Sequence, residues 1–290
     1  MKTVGFIDYF LHEWHANEYP AMIKAYNEKN GADYQVKYAW AEIDSPNEGA
    51  RTTDEWCKDY GVERCETIEE LCEKCDHVFV LAPSNPEKHL EYAKKVFACG
   101  KSPYIDKTFA PDFATAKEIY ALSEQYGVKF FSTSALRYAD ELNAYMGNAY
   151  SVFTTGGGSN LDEYIIHQLE MIVKCLGVGA QAVGYFKNDE REWADIAYLD
   201  GRNARLNFAP TLPFTAAVVM NEEKKEHPIN SPFFDNLMAD IFRFFETGET
   251  SFSACETLEV MKLREAILIS RDQKKEIVLL SCFDEYPSKK

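Results

Sequence analysis

Hydrophobic and polar positions follow two rhythms along the first half of the chain. Short apolar or β-rich runs of strand length occur at residues 4–7, 34–41, 77–82, 103–106 and 128–133. Between them, residues 53–60, 68–75, 87–99 and 114–126 carry apolar positions at helical spacing, as does the stretch leading to residue 26. Gly100 and Gly127 stand just past two of these segments, where a helix is expected to end. The run at 77–82 is continuously apolar and is closed by Pro83, which predicts a parallel strand covered on both faces. Strand and helix alternating at this spacing predict an α/β fold: a Rossmann-like, doubly wound parallel sheet over residues 1–134. Beyond it the texture changes. One long amphipathic segment at 161–176 is followed by strand-like runs at 182–187, 193–199, 204–208 and 215–220, then helical segments at 233–247 and 255–271 and a last apolar run at 276–281. Residues 135–290 are therefore expected to form an α+β domain with a mainly antiparallel sheet.

Composition narrows the function classes. A chain of 290 residues with 46% hydrophobic residues has enough apolar material for two packed cores. Its 47 Asp and Glu against 31 Lys and Arg give a formal charge of -16, a field that repels phosphate backbones, so neither nucleic acid nor an anionic membrane is an expected partner. No apolar stretch approaches membrane-spanning length, and the opening residues lack the pattern of a secretory signal. The eight scattered cysteines suit reduced thiols, and a cytoplasmic location is expected.

Residues 76–137 carry a pattern of strand, Pro83, helix with His89 inside it, Cys99-Gly100-Lys101, and a strand ending in Asp106-Lys107-Thr108. Farther on, Gly156-Gly157-Gly158 precede Glu163 and His167. Both stretches resemble the Gfo/Idh/MocA family of sugar and polyol oxidoreductases, which has Ala-Gly-Lys, Glu-Lys-Pro and a Gly-Gly-Gly, Asp and His arrangement in the matching places. The resemblance implies NAD or NADP as cofactor, a small polar substrate such as a sugar or polyol, and a homodimer or higher homo-oligomer. It implies that Lys107, His167 and Glu163 assist hydride transfer. Asp8, Phe10, His12, Pro83, Asn85 and His89 would lie beside the cofactor, and His15, Arg137 and Glu170 beside the substrate. The residue chemistry is compatible with these roles. A lysine ending a parallel strand sits at the ligand-binding edge of a doubly wound sheet, and Glu163 and His167, four apart, share a helix face on which a carboxylate could orient an imidazole.

The chain also departs from the family. Over residues 4–16, where the family has a glycine fingerprint, the three glycine places hold Asp8, Phe10 and Glu13. A pyrophosphate needs a tight turn and close backbone approach there, and two carboxylates add charge of the wrong sign. A second reading therefore stays open: a family member that binds a carbohydrate-like ligand or serves a regulatory or structural role after losing dinucleotide binding. The crowding of Asp8, His12, Glu13 and His15 has irregular ligand spacing, and no metal is expected there. Cys72 and Cys75 form a single Cys-x-x-Cys pair suited to core packing.

Overall fold

The computed structural model describes residues 1–283. The chain divides into two compact units, Met1–Thr133 with Phe234–Ser251, and Ser134–Phe233 with the chain from Phe252 on.

The first unit is built from β1 (Lys2–Asp8), α1 (Trp14–Asn30), β2 (Tyr34–Ala41), α2 (Thr53–Tyr60), β3 (Glu63–Arg64), α3 (Ile68–Lys74), β4 (His77–Val80), α4 (His89–Ala98), β5 (Tyr104–Ile105), α5 (Phe113–Tyr126) and β6 (Phe131–Ser132). All six strands pair in parallel, in the order β3-β2-β1-β4-β5-β6. This is the doubly wound order in which the direction of winding reverses between β1 and β4. Phe6, Val78, Phe79, Val80 and Ile105 are fully buried, which is why these strands read as continuous apolar runs rather than alternating ones. Gly5 allows α3 to settle on β1, since a Cβ there would lie 2.5 Å from the Leu71 side chain. Helix α2 opens with a reciprocal cap between Thr52 and Glu55. Thr52→Ala removes one acceptor and one partner, and should cost about 1 kcal/mol in urea unfolding. No change in the unfolding midpoint would count against the cap.

The second unit holds β7 (Ser151–Gly156), α6 (Leu161–Leu176), β8 (Ala180–Lys187), β9 (Glu192–Tyr198), β10 (Asn203–Phe208), β11 (Thr215–Met220) and β12 (Glu223–Pro228). Helix α7 (Phe233–Thr247) intervenes before α8 (Ala254–Asp272) and β13 (Val278–Leu279) complete the unit. Its seven strands run in the order β12-β11-β7-β10-β9-β8-β13. Every pair is antiparallel except β7 with β10, which is parallel. Helices α6 and α8 pack on each other and on this sheet, and the alternating burial of β10 is that of a sheet with one covered face.

Helix α7 falls in the stretch expected to belong with the C-terminal half, yet it packs with the first unit. Its aromatic face explains this: Phe242 stacks on Tyr34 at 4.0 Å and Phe245 on His77 at 4.5 Å. Glu246 binds both Lys2 and Tyr34. No helix among the described residues is long and apolar enough to cross a membrane.

Candidate functional site

In the first unit, the carboxyl ends of β1, β4 and β5 deliver Asp8, the 81–83 segment and Asp106-Lys107 to one edge of the sheet. That edge, at the reversal between β1 and β4, is where doubly wound sheets bind ligands. Asp106 is buried and fully engaged. Its Oδ1 accepts from the Lys107 backbone N–H at 2.8 Å and from Tyr104 Oη at 3.0 Å, and its Oδ2 meets His15 Nδ1. Burial works to raise the Asp106 carboxyl, but the His15 ring and Lys107 hold it below its ordinary value. Tyr19 Oη lies 3.1 Å from the same His15 nitrogen, so His15 is fixed by two buried groups. Lys107 is half-buried, with its Nζ 3.3 Å from the carbonyl oxygen of Pro83. The Lys107–Thr108 peptide, where the family's proline is replaced, is cis.

The first turn is organised by its acids. Glu13 is the N-cap of α1: its carboxylate accepts from the backbone N–H of His15 at 2.7 Å and from that of Ala16. Asp8 is 1% exposed, and its Oδ1 accepts from Tyr9 N at 2.7 Å and from Ala82 N at 3.0 Å. Ala82 adopts φ 56°, a left-handed conformation unusual for a residue with a Cβ, and so presents its N–H to Asp8. Asp8 Oδ2 has no conventional donor, and the Asp8 carboxyl interacts with that of Glu13. Burial first, and then the charge on Glu13, push the Asp8 carboxyl well above its ordinary value. Burial likewise raises Glu13.

A stability consequence follows from Asp8. Unfolded, its carboxyl titrates near ~3.9. Between that value and its raised folded value, the folded chain keeps a proton that the unfolded chain has released. The contribution is whole below about pH 4 and is lost as pH rises through the folded value. Asp8→Asn should therefore flatten the decline in stability on raising the pH from about 4 to about 8, read by urea unfolding at stepped pH. An unchanged slope would show that Asp8 is not buried in its neutral form.

Other residues expected beside a cofactor are placed as follows. His12 Nδ1 accepts from the Arg51 backbone N–H at 2.8 Å. His89 is fully buried on α4, with Nδ1 2.9 Å from the Phe109 carbonyl and Nε2 2.5 Å from the Leu81 carbonyl, so it ties the 81–83 segment and the 107–109 segment to the sheet. Asn85 donates to Glu87, and Pro83 is buried behind Lys107. Phe10 is half-buried, its ring 5.9 Å from that of Tyr9.

In the second unit, α6 carries Glu163, His167 and Glu170. Asn160 caps this helix through Glu163 N at 2.9 Å, which places the Glu163 carboxylate in the first turn, where the helix dipole favours negative charge. His167 Nδ1 lies 2.6 Å from Ser134 Oγ, and its ring meets those of Tyr164 and Phe214 edge-on at 5.6 and 5.7 Å. Glu170 is buried, accepting from Ser134 N at 3.2 Å and from Arg137 Nη1 at 3.0 Å. Arg137 also pairs with Glu256 and stands 3.9 Å over the Phe252 ring. Arg137 and Glu170 thus form a buried brace under Ser134 and His167. Among the described residues, no group of three or more His, Cys, Asp or Glu is placed to hold a metal ion.

Asp106 and Tyr19 were not singled out from the sequence. The adjacency of Asp106 to a strand-end lysine was the available signal, whereas nothing local announces that Tyr19 and His15 turn toward β5.

Comparison with known proteins agrees with this architecture. Residues 21–134 match the model of an oxidoreductase family with an NAD-binding Rossmann fold, GFO_IDH_MocA. The match begins beyond the turn that holds Asp8, Phe10 and Glu13. A stretch of 61 residues is 33% identical to the uncharacterized oxidoreductase YhhX of Escherichia coli (strain K12), covering 21% of this chain and 18% of that protein. Among solved structures, a myo-inositol dehydrogenase from Lactobacillus casei in complex with NAD(H) and myo-inositol aligns with a TM-score of 0.77 at 13% identity, over 96% of each chain. An apo scyllo-inositol dehydrogenase from the same organism aligns with a TM-score of 0.72 at 14% identity, over 97% of this chain and 98% of that one. At such identities these two establish a shared fold. With its six-stranded doubly wound sheet and its mainly antiparallel second sheet the chain shares the fold of these dehydrogenases, and over residues 21–134 it is similar to the Gfo/Idh/MocA oxidoreductase family.

Proposed function

We propose that the chain is an NAD(P)-linked oxidoreductase acting on a sugar, inositol or related polyol. The observation that carries this reading is Lys107 at the carboxyl end of β5, its main chain clamped by a buried Asp106 that His15 and Tyr104 hold in turn. An ammonium set on so rigid a strand end can hold a substrate hydroxyl in a fixed position. His167 is the group that takes the hydroxyl proton, with Ser134 on Nδ1 fixing its ring orientation. The Arg137–Glu170 pair supports Ser134 from beneath and does not touch the substrate in this reading.

The pyrophosphate of a dinucleotide does not fit the first turn as the chain holds it. The N–H groups that would receive it are taken by Glu13, and Phe10 stands where the backbone must come close. The same fact favours a second reading, a non-redox member that retains polyol binding alone. Calorimetric titration of wild type and Lys107→Ala with inositols and hexoses tests the part common to both readings. Lys107→Ala should weaken the best ligand about tenfold, the loss of one charge-assisted hydrogen bond. Equal affinity in both would remove Lys107 from the site.

A homo-oligomer is part of the proposal. The second unit's sheet exposes Phe153 at 43% and Phe186 at 36%, with the Arg205–Asp195 ion pair on the strands between them, a mixed apolar and charged face of the kind that partner chains cover. Light scattering should show a species of at least twice the 33.1 kDa chain mass. A Phe153→Lys, Phe186→Lys variant should shift it toward the monomer, and a wild type that is monomeric at micromolar concentration would contradict this.

A further inference from the structure

In a doubly wound sheet, the first strand-to-helix turn receives the phosphates of a bound nucleotide, because the helix N-terminus offers unpaired N–H groups and a positive dipole end. In this chain that turn already contains an anion of its own. Glu13 caps α1 through the N–H groups of His15 and Ala16, two of the donors a phosphate would use. Asp8 spans the point of reversal between β1 and β4, bonding Tyr9 N and, across the crevice, Ala82 N. Its Oδ2 is buried and has no conventional donor, and the Asp8 carboxyl is within side-chain hydrogen-bonding and electrostatic reach of Glu13, so the two acids are linked to each other inside the turn. Two acids thus occupy the place of one phosphate group.

We propose that Glu13 and Asp8 form a built-in occupant of the phosphate-binding turn, so that a nucleoside diphosphate or dinucleotide enters only when the Glu13 carboxylate leaves the N-terminus of α1. Asp8 is the fixed part, held by two backbone donors and closed in by the left-handed Ala82. Glu13 is the movable part, because its carboxylate reaches the helix end on a flexible side chain and its place can be taken by any other acceptor. The turn therefore sets nucleotide affinity by competition between an internal and an external anion for the same N–H groups. The inference relies on the oxidoreductase reading only for the identity of the dinucleotide.

The test compares wild type with Glu13→Ser, which keeps a capping acceptor for α1 while removing the carboxylate, and with Glu13→Gln, which keeps the length and loses the charge. Each is titrated with ADP by calorimetry and with NADH and NADPH by nicotinamide fluorescence, with circular dichroism and melting curves as controls for folding. Binding of ADP and of at least one dinucleotide should tighten by about tenfold or more in Glu13→Ser, and in the same direction in Glu13→Gln. Should Glu13→Ser fail to fold, Glu13→Gln decides alone. Affinities no tighter than wild type in the folded variants would overturn the proposal, as would a wild type that binds NADH tightly and loses it on substitution, since Glu13 would then contact the nucleotide directly. Polyol binding by the wild type without nucleotide is measured alongside. Its absence would remove the oxidoreductase reading while leaving the contrast between variants intact, and equal nucleotide affinities would remove this inference while leaving polyol binding intact.

Discussion

Replacing His167 by alanine is expected to lower polyol turnover by about 10²- to 10⁴-fold, the range over which a positioned general base contributes. Stability should change little, because the ring is half-buried and its edge-on neighbours Tyr164 and Phe214 remain. Ser134→Ala provides the control that separates proton transfer from packing. It removes the 2.6 Å contact at Nδ1 without removing the ring, so turnover should fall by less than in His167→Ala and the pH–rate profile should move with it. Loss of melting temperature in step with loss of rate, and an unmoved pH profile, would assign His167 a structural part instead.

The second large effect is on folding. Arg137→Ala removes the guanidinium that pairs with the buried Glu170 carboxylate, and also removes the partner of Glu256 and the cation over Phe252. Breaking a buried pair by removing one member typically costs about 3–5 kcal/mol, and that is the loss expected for Arg137→Ala in denaturant unfolding. The Arg137→Met, Glu170→Gln double variant should recover a large part of it, because both buried charges of the pair are removed together. A single variant within about 1 kcal/mol of wild type, the worth of an exposed pair, would show that the pair is not buried in solution.

The fold was legible where burial imposes a pattern. Strands β1 and β4 and helices α2 and α7 fall where the apolar spacing puts them, because strands covered on both faces need continuous apolar runs and one-sided helices need a stripe, while β2 is marked by its β-formers and α6 by its apolar length. The short or polar strands were not legible. Strand β12, Glu-Lys-Lys-Glu-His-Pro, is almost wholly exposed and is held by its pairing to β11, so no hydrophobic period marks it. Strand β7, Ser-Val-Phe-Thr-Thr-Gly, runs straight into three glycines and is too short to carry a clear period, and its parallel pairing with β10 is a tertiary choice that local sequence does not encode. The run at 128–133 contributes only Phe131–Ser132 to the sheet, because β6 is an edge strand that pairs on one side.

The site was legible in its parts. That Lys107 ends a strand follows from the apolar run before it, but the clamp of His15 and Tyr104 on Asp106 joins residues 91 and two positions away, and only the fold reveals it. The i, i+4 spacing suggested Glu163 as the group that orients His167. The structure also puts Ser134, 33 positions earlier, on Nδ1, a partner that the spacing does not announce. For the acids of the first turn, sequence gave the repulsion toward phosphate. That Glu13 satisfies the helix end in place of a phosphate depends on backbone geometry that only the folded chain supplies.

The central claim is polyol-dependent reduction of a nicotinamide dinucleotide, and the most direct measurement is the absorbance of NADH or NADPH formed when the wild-type protein is given NAD or NADP at millimolar concentration with a panel of inositols and hexoses. The account predicts that at least one polyol drives reduction, that none occurs without it, and that the rate is still rising with dinucleotide at the highest concentration used because Glu13 must first give way. A folded wild-type protein that binds a polyol yet reduces neither dinucleotide with any member of the panel would contradict it.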